Sequence, residues 1–182
     1  MSDIDIFLKG THIYLKVLTE KDAGESNWYS WFNDEEITKY MQKHYFPNTR
    51  AAQVDFWREN IKGSTKKLQL AICKVNSSKI LGCISLENID YLNRKAEIST
   101  IIGEKEGRNI IVTIEAYKLI INHAFNTLNL NKIYTGTFSK EFAQLMERIF
   151  NFKKDGELRQ DVYKDGEYHN VHLHSLLRTE FK

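Results

Sequence analysis

The sequence predicts an α/β fold, on three observations. Residues alternate between apolar and polar in some stretches and recur at helical spacing in others, and the two periods interleave in the order β, α, α, α, three β, α, β, α, ββ. At 182 residues and 42% hydrophobic content, the chain is long and apolar enough to bury a core without disulfide or metal staples. No internal repeat, low-complexity segment or linker divides it, so a single domain over residues 1–182 is expected.

Ile13, Leu15 and Val17 alternate as a strand does, and Thr19 with Asp22 three residues later makes an N-cap pair. Trp28, Trp31 and Phe32, then Ile37, Tyr40 and Met41, recur at helical spacing, with Asn33-Asp34 as a cap between two short helices. After Pro47, Val54, Trp57 and Ile61 form the stripe of an amphipathic helix that runs from Thr49 and stops at Gly63. Leu68, Leu70 and Ile72, then Ile80 to Leu86, read as a hairpin turning at Asn76-Ser77-Ser78. Arg94 to Gly103 extends it to an antiparallel meander, with Ala96, Ile98, Thr100 and Ile102 on one face and Glu97, Ser99 and Ile101 on the other.

A polar loop, Gly103 to Asn109, precedes the clearest helix, marked by Ile110, Ile114, Tyr117, Ile121, Ala124, Phe125 and Leu128. Lys132 to Thr137 is a strand, Glu141 to Phe150 a helix, and Glu157 to Tyr163 with Tyr168 to Leu177 a hairpin turning at Asp165-Gly166 in a type I′ turn. Seven strands result.

Charge and cysteine content exclude several classes of function. Lys and Arg total 26 against 24 Asp and Glu, a net charge of +2, so no global field favours nucleic acid or an anionic membrane. No apolar run approaches the roughly 20 residues that span a bilayer, and Met-Ser-Asp-Ile-Asp carries acids where a secretory signal carries bases, so a cytoplasmic location is expected. Cys73 and Cys83 read as reduced core residues whose sulfurs lie on opposite faces, because the hairpin would pair residue 73 with about 82. His172 and His174 share a strand face, but with no third ligand at metal spacing no metal is expected.

Several stretches, in this order and spacing, resemble the GNAT superfamily of acetyl-CoA-dependent N-acetyltransferases, especially its RimJ/RimL-like branch. They are Tyr14-Leu15-Lys16-Val17-Leu18-Thr19-Glu20-Lys21-Asp22, Trp31-Phe32-Asn33-Asp34 with Ile37-Thr38-Lys39-Tyr40, Ala96-Glu97-Ile98-Ser99 with Ile102-Gly103, and Glu115-Ala116. Further along are Ala124-Phe125, Leu128-Asn129-Leu130-Asn131-Lys132-Ile133, Phe152 to Arg159 and Ser175 to Phe181, so the resemblance runs from about Ile13 to Phe181. It implies the GNAT fold: a central, mixed, mostly antiparallel seven-stranded sheet flanked by helices.

It also implies a site for acetyl-CoA. In the family the strand equivalent to Arg94–Gly103 splays from its neighbour and exposes main-chain groups to pantetheine, and the next loop aims amides and a helix N-terminus at the pyrophosphate. The positions carried over are Ile98, Ser99, Ile101 and Ile102 on the strand, Gly107, Arg108, Asn109, Ile110, Ile111 and Thr113 in the loop and helix start, and Lys140 in the next motif. The loop departs from the family's Gly-x-Gly: Asn109, Ile111 and Thr113 stand where glycines are usual, with Gly107-Arg108 as a shifted substitute and Arg108 as a phosphate contact.

Acetyl transfer needs a deprotonated nucleophile, a base or water chain to drain its proton and amide donors to polarise the thioester carbonyl. The thiolate departs without strong acid help, so the absence of the family's usual tyrosine acid after Lys140 is survivable. Glu97 is the first candidate base, against the reading of a solvated strand carboxylate; Glu147 is a second, against helix-surface pairing; Tyr134 is a candidate acid, as is Tyr163, against core packing. His44, Trp31 and Tyr40 are candidate acceptor contacts. The implied function is transfer of acetyl to a primary amine by direct attack in a ternary complex, with a small-molecule amine such as an amino sugar as acceptor and a homodimer left open. The competing reading, raised by the missing glycines, is a non-catalytic interaction or ligand-binding module.

Overall fold

The computed structural model describes residues 5–181. Its strands are β1 (Ile6–Lys9), β2 (Ile13–Val17), β3 (Leu68–Lys74), β4 (Ile80–Asp90), β5 (Lys95–Ile102), β6 (Lys132–Thr137), β7 (Lys153–Lys164) and β8 (Glu167–Leu177). They form one eight-stranded sheet in the order β1-β2-β3-β4-β5-β6-β8-β7, in which β5 with β6 is the parallel pair and the rest are antiparallel. The expected seven strands are therefore eight. The strand missed is β1, whose residues are exposed except for a half-buried Leu8 and which pairs only with β2, so no alternation toward a core marks it in the sequence. The residues before Asp5, Asp3 of the acidic start among them, lie outside the described residues.

The helices are α1 (Glu20–Glu25), α2 (Trp28–Trp31), α3 (Glu35–Thr38), α4 (Arg50–Asn60), α5 (Ile110–Asn126) and α6 (Lys140–Phe150). Local chemistry sets their starts. Thr19 and Asp22 close a reciprocal capping box on α1, Asp34 accepts from the amides of Glu36 and Ile37, and Thr49 accepts from Ala52. The turn into β8 has Asp165 at φ 53 and Gly166 at φ 87, as a type I′ hairpin requires.

One face of the sheet is covered by α5, which buries Val112, Ala116, Tyr117, Ile120, Ile121, Ala124 and Phe125 against Ala96, Ile98 and Ile133. The expected stripe holds in the second half of α5 but slips in its first turn, where Ile110 is 47% exposed and Val112 is the inward residue. The opposite face meets α1, α2 and α4: Trp28 is fully buried, and Trp57 Nε1 donates to the Leu18 carbonyl at 2.8 Å.

Cys73 and Cys83 are free and buried, but on the same face rather than opposite ones. Cys83 pairs with Ala71, and the register shift between Ile72 and Cys73 moves the pairing by one residue from that expected, which flips the face. No helix of the described residues is long and apolar enough to cross a membrane.

Candidate active site

The parallel pair β5 and β6 is joined over three registers only, Lys95↔Lys132, Ala96↔Ile133 and Glu97↔Tyr134. Beyond Glu97 and Tyr134 the two strands pair no further, so the edge of β5 from Ile98 to Ile102 is open toward β6. Each arm of this V leads into a helix start: β5 runs through a 3₁₀ turn, Lys105–Gly107, into α5, and β6 runs through Phe138 and Ser139 into α6. Two helix N-termini thus flank one opening, each with a positive dipole end.

The loop at the first lip is held from behind. A Cβ on Gly103 would run into the Trp31 indole, and one on Gly107 would lie 2.9 Å from Leu81 Cβ and 3.0 Å from Ile102 Cγ2. Trp31, expected as an acceptor contact, is buried, and its Nε1 donates to Glu104 at 3.2 Å; it buttresses the loop. Asn109 Oδ1 caps α5 by accepting from the Val112 amide at 3.0 Å, while Thr113 N–H donates to the Asn109 carbonyl. The amides of Ile110 and Ile111 make no hydrogen bond among the described residues.

The absent glycines cost this loop no conformation. No residue from Gly103 to Thr113 has a positive φ, and the Ile110 and Ile111 side chains turn to solvent. The two free amides at the start of a 17-residue helix fit a phosphate group, so the residues present suit the pyrophosphate of acetyl-CoA without Gly-x-Gly. Arg108 is folded back, donating from Nη2 to the Gly103 carbonyl at 3.0 Å with Nη1 3.6 Å from Glu36. Lys140 is the first residue of α6, exposed at the second lip.

Glu97 and Tyr134 stand side by side at the vertex, on the face opposite α5. Asn88 Nδ2 donates to Glu97 Oε2 at 3.1 Å; among the described residues Oε1 has no partner. Burial pushes the Glu97 carboxyl above the usual glutamate range, the Asn88 hydrogen bond offsets part of this, and the negative Glu87 adds to it. Burial likewise raises Tyr134, with the charge of Glu97 second, so its hydroxyl stays protonated at neutral pH. Asn88 and Glu87 lie beyond the strand that the apolar run Ile80 to Leu86 predicts; the structure runs β4 to Asp90 through a bulge, with Asn88 at φ 52.

Glu147 is on the other side of the sheet. Among the described residues its carboxylate takes no partner from its own helix; His174 Nε2 lies 2.8 Å from its Oε1, and His174 alternates onto the face of Ile133 and α6. The structure therefore separates Glu147 from Glu97, and helix-surface pairing gives way to a cross-element contact. Tyr163 lies near the tip of the β7–β8 hairpin, 55% exposed, its ring tilted at 58° against that of Tyr168 at 5.0 Å.

The segment after α3 reaches that hairpin. Tyr45 Oη donates to the Tyr163 carbonyl at 2.9 Å, and the buried Lys164 donates to the Lys43 carbonyl at 2.9 Å. Tyr40 packs edge-on to Phe138 at 6.2 Å, which puts it at the β6 lip, while His44 is exposed with φ 69. A cavity of about 430 Å³ lies between α2–α3 and the loop, lined by Ser30, Trp31, Asp34, Ile37, Glu104 and Arg108, away from Glu97. A second, of about 360 Å³, joins Glu35, Glu36 and Lys39 to Lys164 and Asp165. The vertex with Glu97 and Tyr134 lies outside both.

Residues 12–146 match the family model described as acetyltransferase (GNAT) domain. Over 94% of this chain and 94% of the relative, the sequence is 27% identical to a Bacillus subtilis protein named "Putative ribosomal N-acetyltransferase YdaF". It is 32% identical to spermidine N(1)-acetyltransferase of Escherichia coli over 50% of this chain and 48% of that one. A crystal structure of spermidine N-acetyltransferase from Vibrio cholerae in complex with CoA and spermine superposes with a TM-score of 0.81 at 18% identity, covering 94% of this chain and 98% of the other.

Proposed function

The chain belongs to the GNAT acetyltransferase family, whose members use acetyl-CoA, and from that premise we propose that it acetylates the primary amine of a small molecule by direct attack in a ternary complex. The observation that carries this reading is the opening of β5 from β6 at Glu97 and Tyr134, with free helix-start amides at its lip. The whole chain acts as one GNAT domain in this reading.

Acetyl-CoA supplies the acetyl group as a thioester: the acceptor nitrogen bonds to the carbonyl carbon, the C–S bond breaks, and CoA leaves as thiolate. Ile98, Ser99, Ile101 and Ile102 present the open edge of β5 to pantetheine. The Ile110 and Ile111 amides, with Gly107, Arg108, Asn109 and Thr113 around them, hold the pyrophosphate, and Lys140 stands across the opening as a point charge. Glu97 removes the proton from the incoming ammonium; its raised affinity for protons and free Oε1 suit that task. Tyr134, kept protonated beside it, hands its proton to that thiolate, and the second proton that nitrogen sheds as the amide forms restores the phenol.

The acceptor we infer is an amino sugar or another small amine. Near-neutral net charge gives no steering toward a large anionic partner, and the spermidine enzymes among the relatives support a small cationic amine. Tyr40 and His44 line its approach. Calorimetric titration with acetyl-CoA, with desulfo-CoA as control, tests the cofactor half of the reading. Micromolar binding is expected, followed by thiol release on adding amines from a panel of polyamines and amino sugars. No binding at millimolar acetyl-CoA overturns it.

A further inference from the structure

Glu87 and Glu97 are direct partners in the antiparallel pairing of β4 and β5. Like charges in that position repel, so two glutamates facing each other need compensation. The compensation is one-sided. Glu87 Oε1 accepts from Ser85 Oγ at 2.9 Å and Ser99 Oγ at 3.0 Å, and Lys67 Nζ lies 3.2 Å away; the two hydroxyls are 2.8 Å from each other. Lys67 is itself mostly covered, its side chain 17% exposed. Among the described residues Glu97 has the Asn88 amide alone.

We propose that Glu87 is a positioning residue for the acetyl transfer: a carboxylate locked in its charged form across the strand pair, whose field makes Glu97 the member of the pair that takes the acceptor's proton. This rests on Glu97 being the base. Burial disfavours the charged form of Glu87, yet Lys67 and the two serine hydroxyls outweigh it, and its carboxyl sits below the usual range while that of Glu97 sits above. One site built from two carboxylates thus splits into a permanent charge and a proton acceptor.

The groups around Glu97 leave Glu87 as the charge that matters. From β4 it meets Glu87 and Asn88, and from β6 Tyr134, a neutral phenol at working pH. Lys95 lies over the Tyr134 ring at 5.9 Å, and Asp90 acts on Tyr134 rather than on Glu97. Lys67 is committed to Glu87.

The test follows the Glu97 carboxyl by NMR titration of protein carrying carbon-13 in its glutamate side chains, with Glu97→Gln identifying the signal, so no acceptor has to be known. In Glu87→Gln the Glu97 midpoint is expected to fall by about half a pH unit or more, as loss of a like charge across a strand pair dictates. Glu87→Asp, which keeps the charge, restores most of the wild-type midpoint. Lys67→Met unmasks Glu87 and moves the midpoint upward, and serves as the second variant if Glu87→Gln does not fold. A Glu97 midpoint unmoved in both variants overturns the proposal and leaves the base reading intact. With spermidine as probe acceptor, Glu97→Gln turning over at the wild-type rate removes the base reading, and the proposal with it, even where the two carboxyls are coupled.

Discussion

In the proposed mechanism Glu97 concentrates the chemistry of the vertex in one side chain, half-buried, with one oxygen held by Asn88 and the other free among the described residues. Glu97→Gln keeps the size and the Asn88 contact but removes the proton acceptor, so kcat is expected to fall about 10²–10³-fold with acetyl-CoA affinity unchanged. Steady-state thiol release and calorimetry on the same variant check both halves. Tyr134→Phe leaves the ring and removes the donor; with a thiolate leaving group of pKa near 8.5, the expected loss in kcat is smaller, on the order of tenfold. Cys73 and Cys83 lie on the opposite end of the reactivity scale. Burial pushes the Cys73 thiol up to about 11 and Cys83 further still, so neither forms thiolate at neutral pH. A thiol reagent at pH 8 should label neither in the folded protein and both in urea.

At the scale of elements, α5 joins packing to the proposed binding of acetyl-CoA. Its C-terminal half is a core stripe, while its first turn leaves the two Ile amides free, and Asn109 mediates between them by capping Val112. Asn109→Ala is expected to cost about 1 kcal/mol in urea unfolding and to raise the acetyl-CoA Kd several-fold as the first turn loosens. Gly103 shows the same dependence on a neighbour: a valine there would drive its side chain into Trp31, displacing the indole that backs the loop. Gly103→Val should lower Tm by several degrees and weaken acetyl-CoA binding more than Asn109→Ala does, both measurable by calorimetry.

Across the whole molecule, the ionisable groups make the fold sensitive to acid. Glu87, Glu104 and Asp155 are partly covered carboxyls, in each of which burial resists ionisation but lysine partners or hydrogen bonds outweigh it, leaving the group below its ordinary range. Such groups contribute stability that is present above the unfolded value, 4.5 for glutamate, and is lost as pH falls through the folded one. His123, lowered by burial alone, adds a loss that begins below its ordinary 6.5. Glu97 has the opposite sign, since its raised carboxyl favours the fold at low pH and loses that contribution as pH rises. Three carboxyls and one histidine against a single carboxyl, among the described residues, predict a net fall in Tm as pH drops from about 5 to about 2, through the lowered carboxyl values, which scanning calorimetry across that range checks.

Local chemistry and period are written in the chain itself. The caps at Thr19 and Asp34, the helix starting after Thr49, the Asp165-Gly166 turn, the meander from β3 to β5 and the two faces of β5 all follow from patterns within a few residues, and each is legible. The sequence motifs also pointed to the loop after β5 and to Glu97. Tertiary structure decided what depends on distant partners. The edge strand β1 owes its existence to β2, the register that brings both cysteines to one face turns on a single shifted residue, and Glu147 is drawn to His174 across the sheet from Glu97. The lock on Glu87 joins Lys67, Ser85 and Ser99 from three neighbouring segments, and the loop without Gly-x-Gly keeps its free amides because Trp31 and Leu81 hold it from behind. Periodicity reports which way a side chain points, whereas its charge state and partners are set by what folding places opposite it.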